Sequence, residues 1–313
     1  MERLHELAAD HLADDLVGQH MLEWTEDEAL TYFQTGGVRN STNAYPRVWL
    51  TSDVHTDREN NMAWVRSLPR YPDDVLILAG DVSQNMAQLE ETLRLFAERF
   101  SRVFFTPGNH DLWISAADAA AGVGASLAKL DAIERLCERV GVSMGPELLG
   151  GAARNGEGLW LVPIHSWYDL SLDLTVVEPE LVEHAQGMAA FSWSDFALCR
   201  WPAELERRAN TLTGKYPHGV AAAIAARNND AIARVHAALL DGCGDSVVSF
   251  SHFLPNLQTL PDWLAPEQPR FDPEWLDHPA GATAVKFSRV AGSTHIERQL
   301  RELTAGVARI GLR

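Results

Sequence analysis

The 313-residue chain has no unbroken apolar run near the roughly 18 residues that a membrane-spanning helix needs, so no membrane span is expected. Cysteine is scarce. Cys137, Cys199 and Cys243 lie far apart with no CxxC pair, which excludes a disulfide framework and a cysteine-based zinc site, and predicts free thiols. Basic charge is also in short supply: 26 Lys and Arg stand against 43 Asp and Glu, a formal net charge of −17. That balance opposes nucleic acid and anionic membranes as partners, and clustered carboxylates would instead attract divalent cations. The amino terminus, MERLHELAADHLADDLVGQH, lacks the basic region and continuous apolar stretch of a signal peptide, so a cytoplasmic location is expected. Internal repeats and low-complexity linkers are missing as well, which favours one elaborated domain over two.

With 46% hydrophobic and 22% charged residues, the chain reads as soluble and globular. Residues 1–46 carry helical patterns, among them Leu4/Leu7/Leu12/Leu16 and a capping-box spacing from Thr25 to Glu28, and are expected to form a helical N-terminal extension. From residue 47 short apolar runs alternate with helical stretches. RVWLTSDVH, DDVLILAGD and RVFFTPGNHD each end a strand-like run in a polar loop, with MAWVRSL and MAQLEETLRLFAERF spaced as helices between them. SLAKLDAIERLCERVG is a further helix that stops at Gly141, followed by the strand GLWLVPIHSW. Residues 169–244 read as a helical insert in which AAAIAARNNDAIARVHAALL is the clearest helix; DSVVSFSH is a late strand, and 255–279 a proline-rich surface loop. Continuous apolar strands alternating with helices predict an α/β fold with a buried, mostly parallel sheet.

Chemistry-bearing residues sit at the strand ends: Asp53 and His55 after the first, Asp81 after the second, Asn109 and His110 after the third, and His252 after a late one. The carboxyl ends of neighbouring strands in an open α/β sheet converge on one crevice, so these groups are expected to meet. Aspartate, histidine and asparagine offer oxygen and imidazole donors suited to Zn, Mn or Fe. A shared carboxylate such as Asp81 could bridge two ions, the arrangement that clamps both oxygens of an in-line phosphoryl displacement.

The ordered set SDVH, AGDV, PGNHD and FSHFLP resembles the calcineurin-like metallophosphoesterase superfamily from about residue 47 onward. SDVHTDRENNMAWVRSLP, HSWYDLSLD, CRWPAEL and VVSFSHFLP are similar to a plant and bacterial branch of it. The resemblance implies a four-layer α/β/β/α sandwich over residues 47–313 and a hydrolase with two divalent metal ions, Mn, Fe, Zn or Mg. By position it gives Asp53 and His55 to the first ion, Asp81 to the bridge, and Asn109 and His252 to the second. His110 would protonate the leaving oxygen or stabilise charge on phosphate, and a metal-bound hydroxide would attack a phosphate mono- or diester in a small phosphorylated substrate.

Two departures stand against that pattern. Where the superfamily commonly has GDxxD, this chain reads GDVSQ, placing the neutral Gln84 where a carboxylate would orient the histidine of GNH. The final GHxH motif is not evident. In AGSTH, Ser293 could replace its first histidine with His295 surviving, yet Ile296, Leu300 and Leu303 share a helical face that makes Ser293 or Thr294 a helix start. On that reading VARIG (307–311) alternates like the start of a strand, and the chain stops where GHxH would begin. His165, in VPIHSWYD, is a reserve ligand candidate or a pocket-wall residue beside Trp167 and Tyr168. The alternative to an enzyme is a metal-poor pseudoenzyme that binds a phosphorylated ligand or a protein.

Overall fold

A computed structural model describes residues 47–150, 158–177, 193–205, 218–242, 246–260, 285 and 287–307. The expected N-terminal extension, most of the loop at 255–279, much of the 169–244 insert and the strand-like VARIG fall wholly or largely outside them.

The first half alternates strand and helix as the apolar runs predict: β1 (Val48–Thr51), α1 (Glu59–Ser67), β2 (Tyr71–Leu78), α2 (Met86–Ala97) and β3 (Phe100–Phe105). These strands form a parallel sheet in the order β1-β2-β3, with Val48 opposite Val75 and Leu76 opposite Val103. After β3 come a 3-10 turn at His110–Leu112, α3 (Ala116–Ala120) and α4 (Ser126–Val140), the last ending at Gly141. A second sheet, ordered β4-β5-β6, joins β4 (Glu147–Leu149) antiparallel to β5 (Leu159–Pro163) and β5 parallel to β6 (Ser246–Phe250). The described insert contributes short helices α5 (Leu174–Val177) and α6 (Asp195–Leu198), then α7 (His218–Ala226) and α8 (Asn229–Leu240); α9 (Thr294–Thr304) packs on α7 and α8.

Strand periodicity divides the core, because successive side chains point to opposite faces of a sheet. Leu76, Leu78, Val103 and Phe105 join the helix residues Leu89, Leu93, Phe96, Leu130, Ile133 and Leu136 in one buried cluster. The alternate residues Val75, Ile77, Ala79 and Phe104 meet Leu161 and Phe250 of the second sheet in another. α2 buries Leu89, Thr92, Leu93 and Phe96, a stripe at helical spacing, and its N-cap Asn85 accepts from the N–H groups of Ala87 and Gln88.

One element differs from its sequence expectation. AAAIAARNNDAIARVHAALL is two helices that break at Arg227-Asn228. The Asn228 amide is buried there, accepting from the His165 N–H and donating to the His165 carbonyl and Gln299 Oε1, so tertiary hydrogen bonds override a locally favourable helix. Cys137 and Cys199 are buried free thiols, as expected, and Cys243 lies outside the described residues. Among the described residues no helix is long and apolar enough to cross a membrane.

Candidate metal centre

The loops after β1 and β2 continue their parallel pairing beyond the strands. The N–H groups of Asp53, His55 and Thr56 donate to the carbonyls of Gly80, Asp81 and Val82. Within this paired run Asp53, His55 and Asp81 hold left-handed backbone conformations, with φ of 54°, 44° and 54°. Such conformations cost on the order of 1–3 kcal/mol each for non-glycine residues, and three side by side mark a place where side-chain direction outranks local comfort. Gly80, at φ 95°, lies where a Cβ would strike the His252 ring and the backbone of Gly108.

Asp111, the last residue of PGNHD, organises these loops. Its Oδ2 accepts from the N–H groups of Asp81 and Gly108, and its Oδ1 from those of Val82 and Ser83, at 2.8–3.0 Å. Lys129, completely buried on α4, donates from Nζ to the carbonyls of Gln84 and Trp113 and to Asp118, tying the same two loops from behind.

The loops thereby bring all five expected ligands and His110 to one place. Asp81 is central: its carboxylate lies 3.9 Å from His55 Nε2, 3.8 Å from His110 Nε2 and 3.6 Å from His252 Nε2, and accepts from the His110 N–H. Two groups of ligand atoms each converge within 4.8 Å, His55/Asp81/His110 and Asp53/Asp81/His252, with Asp81 common to both. The grouping differs in detail from the expected sets, since Asp53 reaches towards His252 as well as lying 3.8 Å from His55. His252 fixes its ring by a 2.9 Å hydrogen bond from Nδ1 to the Ala79 carbonyl, turning Nε2 inward to within 3.1 Å of Asn109 Oδ1. That separation matches two ligands on neighbouring positions of an octahedral ion, roughly 3 Å apart for bonds near 2.1 Å.

Electrostatics agree with a cation-accepting site. Burial pushes Asp81 up to about 8, opposed by His252 and reinforced by the neighbouring carboxylates Asp111 and Asp53. Burial alone pulls His252 down, but Asp81 and Asp53 outweigh it and raise the imidazole overall. A buried carboxylate surrounded by other carboxylates is costly to ionise without a positive partner, and oxygen and imidazole donors at this spacing fit divalent ions. His110 stacks on Trp113 with ring centroids 3.6 Å apart and meets His55 edge-on at 4.6 Å. Gln84 takes part through its backbone, its N–H donating to Asp57 and its carbonyl accepting from Lys129.

His165 and His295 lie elsewhere. His165 is buried, its Nε2 4.0 Å from Glu134, and burial with the nearby Arg227 lowers its pKa to about 4. It belongs to neither convergent group. His295 is in the first turn of α9, 3.6 Å from Asp169 and 3.1 Å from an Arg298 nitrogen. The glycine of AGSTH has a packing reason: a Cβ on Gly292 would collide with the Leu254 backbone, which exchanges hydrogen bonds with Ala291 and Ser293.

Sequence reasoning missed two residues. Asp111 was visible as the last letter of PGNHD, but nothing local signals its four amide partners. Asp195 carried no signal; its carboxylate, 2% exposed, accepts from Asn109, Trp113, Tyr168 and Trp193.

Residues 46–170 match the calcineurin-like phosphoesterase family. Over 137 residues the chain is 33% identical to the [acyl-carrier-protein] phosphodiesterase PptH of Mycobacterium tuberculosis (strain ATCC 25618 / H37Rv), covering 44% of this chain and 42% of that protein. The matched stretch thus spans under half the length of that curated relative. The crystal structure of phosphopantetheinyl hydrolase (PptH) from Mycobacterium tuberculosis superimposes with a TM-score of 0.51 at 22% identity, over 83% of this chain and 80% of that one, a likeness of fold. Residues 46–170, which carry the first parallel sheet and all of the convergent His/Asp residues but His252, are thus similar to the calcineurin-like phosphoesterases.

Proposed function

We propose that this protein is a divalent-metal-dependent phosphoesterase that hydrolyses a phosphate ester at the Asp81 centre. The single observation that carries this reading is Asp81 itself, buried and shared by two convergent donor groups. Asp53, His55 and Asp81 would hold one ion, and Asp81, Asn109 and His252 the other. Bound there, two divalent cations supply electrophilic activation of the phosphate and acidify a water nucleophile. The chain does the rest. Asp81 holds both donor groups together, the Ala79 carbonyl takes the His252 Nδ1 proton so that the inward-facing Nε2 would carry the lone pair for an ion, and Trp113 holds the His110 ring against the site, where Nε2 can deliver a proton to the leaving oxygen. We place the centre in an α/β/β/α sandwich over residues 47–313, elaborated by the insert at 169–244; the two sheets sharing one buried cluster support that layering.

The relative's name narrows the substrate proposal. A protein named as an acyl-carrier-protein phosphodiesterase and phosphopantetheinyl hydrolase points to a phosphodiester linking a phosphopantetheinyl group to a carrier protein. The test combines metal analysis of the purified chain with hydrolysis of an aryl phosphate and of a phosphopantetheinylated carrier protein in manganese. About two ions per chain and turnover are expected, with His110→Ala lowering kcat about 10²–10⁴-fold and Asp81→Asn abolishing both metal retention and activity. Less than one ion per chain and no turnover would sink the enzyme reading in favour of a metal-poor binding protein, which Gln84 in the GDVSQ run favours.

A further inference from the structure

Asp195 lies outside the strand-end motifs, on the short α6 of the insert, yet it reaches the metal centre. Its Oδ1 accepts from Asn109 Nδ2 at 2.9 Å and Trp113 Nε1 at 2.6 Å; its Oδ2 accepts from the Tyr168 hydroxyl at 2.9 Å and Trp193 Nε1 at 2.7 Å. Four donors use all four lone-pair directions of the carboxylate, so at this place it acts only as an acceptor. The segment carrying it is pinned to the centre's own loops: the Ile114 N–H donates to the Leu198 carbonyl, and Ser126 exchanges hydrogen bonds with Arg200.

An amide has two ends, and only one donates. Because Asp195 can only accept, Asn109 must turn its NH₂ towards α6 and its carbonyl the opposite way, to within 3.1 Å of His252 Nε2. A flipped amide would set two oxygens against each other beside Asp195 and offer a donor to the ion, the wrong group at both ends. The same carboxylate fixes the indole of Trp113, on which His110 is stacked.

We propose that Asp195 is the positioning residue of this centre, fixing which end of the Asn109 amide faces the ion. The proposal rests on the reading of Asn109 as a ligand, and the experiment separates the two. Manganese alone is titrated calorimetrically into the metal-stripped 313-residue chain, as wild type and as Asn109→Ala, Asp195→Asn, Asn109→Asp and the double variant Asn109→Asp/Asp195→Asn. Asp195→Asn should weaken manganese binding about ten- to a hundred-fold, the usual effect of losing a group that orients a ligand. Asn109→Asp should also weaken it, although an added carboxylate would ordinarily strengthen it, because two carboxylates would then share one short contact. The double variant restores an amide-to-carboxylate hydrogen bond with the roles exchanged and should bind more tightly than either single variant, a coupling that loss of stability alone cannot produce.

Asp195→Asn within twofold of wild type, while Asn109→Ala is weakened, overturns the role of Asp195 and leaves the metal centre intact. Asn109→Ala binding as wild type overturns the ligand reading and Asp195's role with it. If Asp195→Asn fails to fold by circular dichroism, Asn109→Asp decides: tighter binding than wild type overturns the proposal, weaker binding upholds it.

Discussion

Asp111 illustrates how one side chain can hold a site without touching its chemistry. Four buried N–H groups, from Gly108, Asp81, Val82 and Ser83, converge on its two oxygens, so the loops after β2 and β3 share one acceptor. Buried amides left without partners each cost about 1–3 kcal/mol. Asp111→Asn keeps the volume but turns an NH₂ against two of those donors. We expect it to lower unfolding stability by about 3 kcal/mol, read from the denaturant midpoint, and to reduce manganese binding in parallel, because the Asp81 backbone loses its anchor. Unchanged stability with lost binding would instead mean that Asp111 acts on the ions directly.

The loop is the unit in which this centre is built. Gly108 sits so close to Asp81 that a Cβ would overlap the Asp81 carboxylate, and the Asp81 backbone stands behind it. Gly108→Ala must therefore move the shared carboxylate, and we expect manganese binding to fall at least tenfold while circular dichroism stays native; binding equal to wild type would show that the loop can yield. The strand-end loops were legible in the sequence for a physical reason. Parallel strands buried on both faces are continuously apolar, so RVWLTSDVH, DDVLILAGD and RVFFTPGNHD each show where a strand stops and where its polar residues meet. α9 was legible from Ile296 and Leu303, which it buries. The α7–α8 break was not, since Asn228 is set by partners 63 and 71 residues away. Nor was Asp195, which meets Asn109 across 86 residues and has no periodicity to betray it.

At the scale of the whole molecule, charge links metal, protons and stability. A net charge of −17 and a buried Asp81 pushed up to about 8 mean that the metal-free fold favours a proton on Asp81 that the unfolded chain has already released at neutral pH. Its folded pKa is raised, so the stability it contributes is full in acid and is lost as pH climbs from the ordinary carboxylate range to about 8. On the proposed reading a divalent ion would take the place of that proton, so metal and acid would compete. Manganese affinity should fall at least tenfold for each pH unit below about 8, because Asp81 must release its proton and His252, whose imidazole is also raised, must be neutral to bind. At pH 8, manganese at about a hundred times its Kd should stabilise the fold by about 2.7 kcal/mol and raise Tm by about 5 °C. The same manganese concentration at pH 6 should raise it by less than 1 °C. Thermal melts with and without chelator at both pH values measure this, and calorimetry in buffers of different ionisation enthalpy counts the protons. A metal-induced shift of equal size at both pH values would show that Asp81 is already ionised before the ion arrives, and that other groups carry the buried charge.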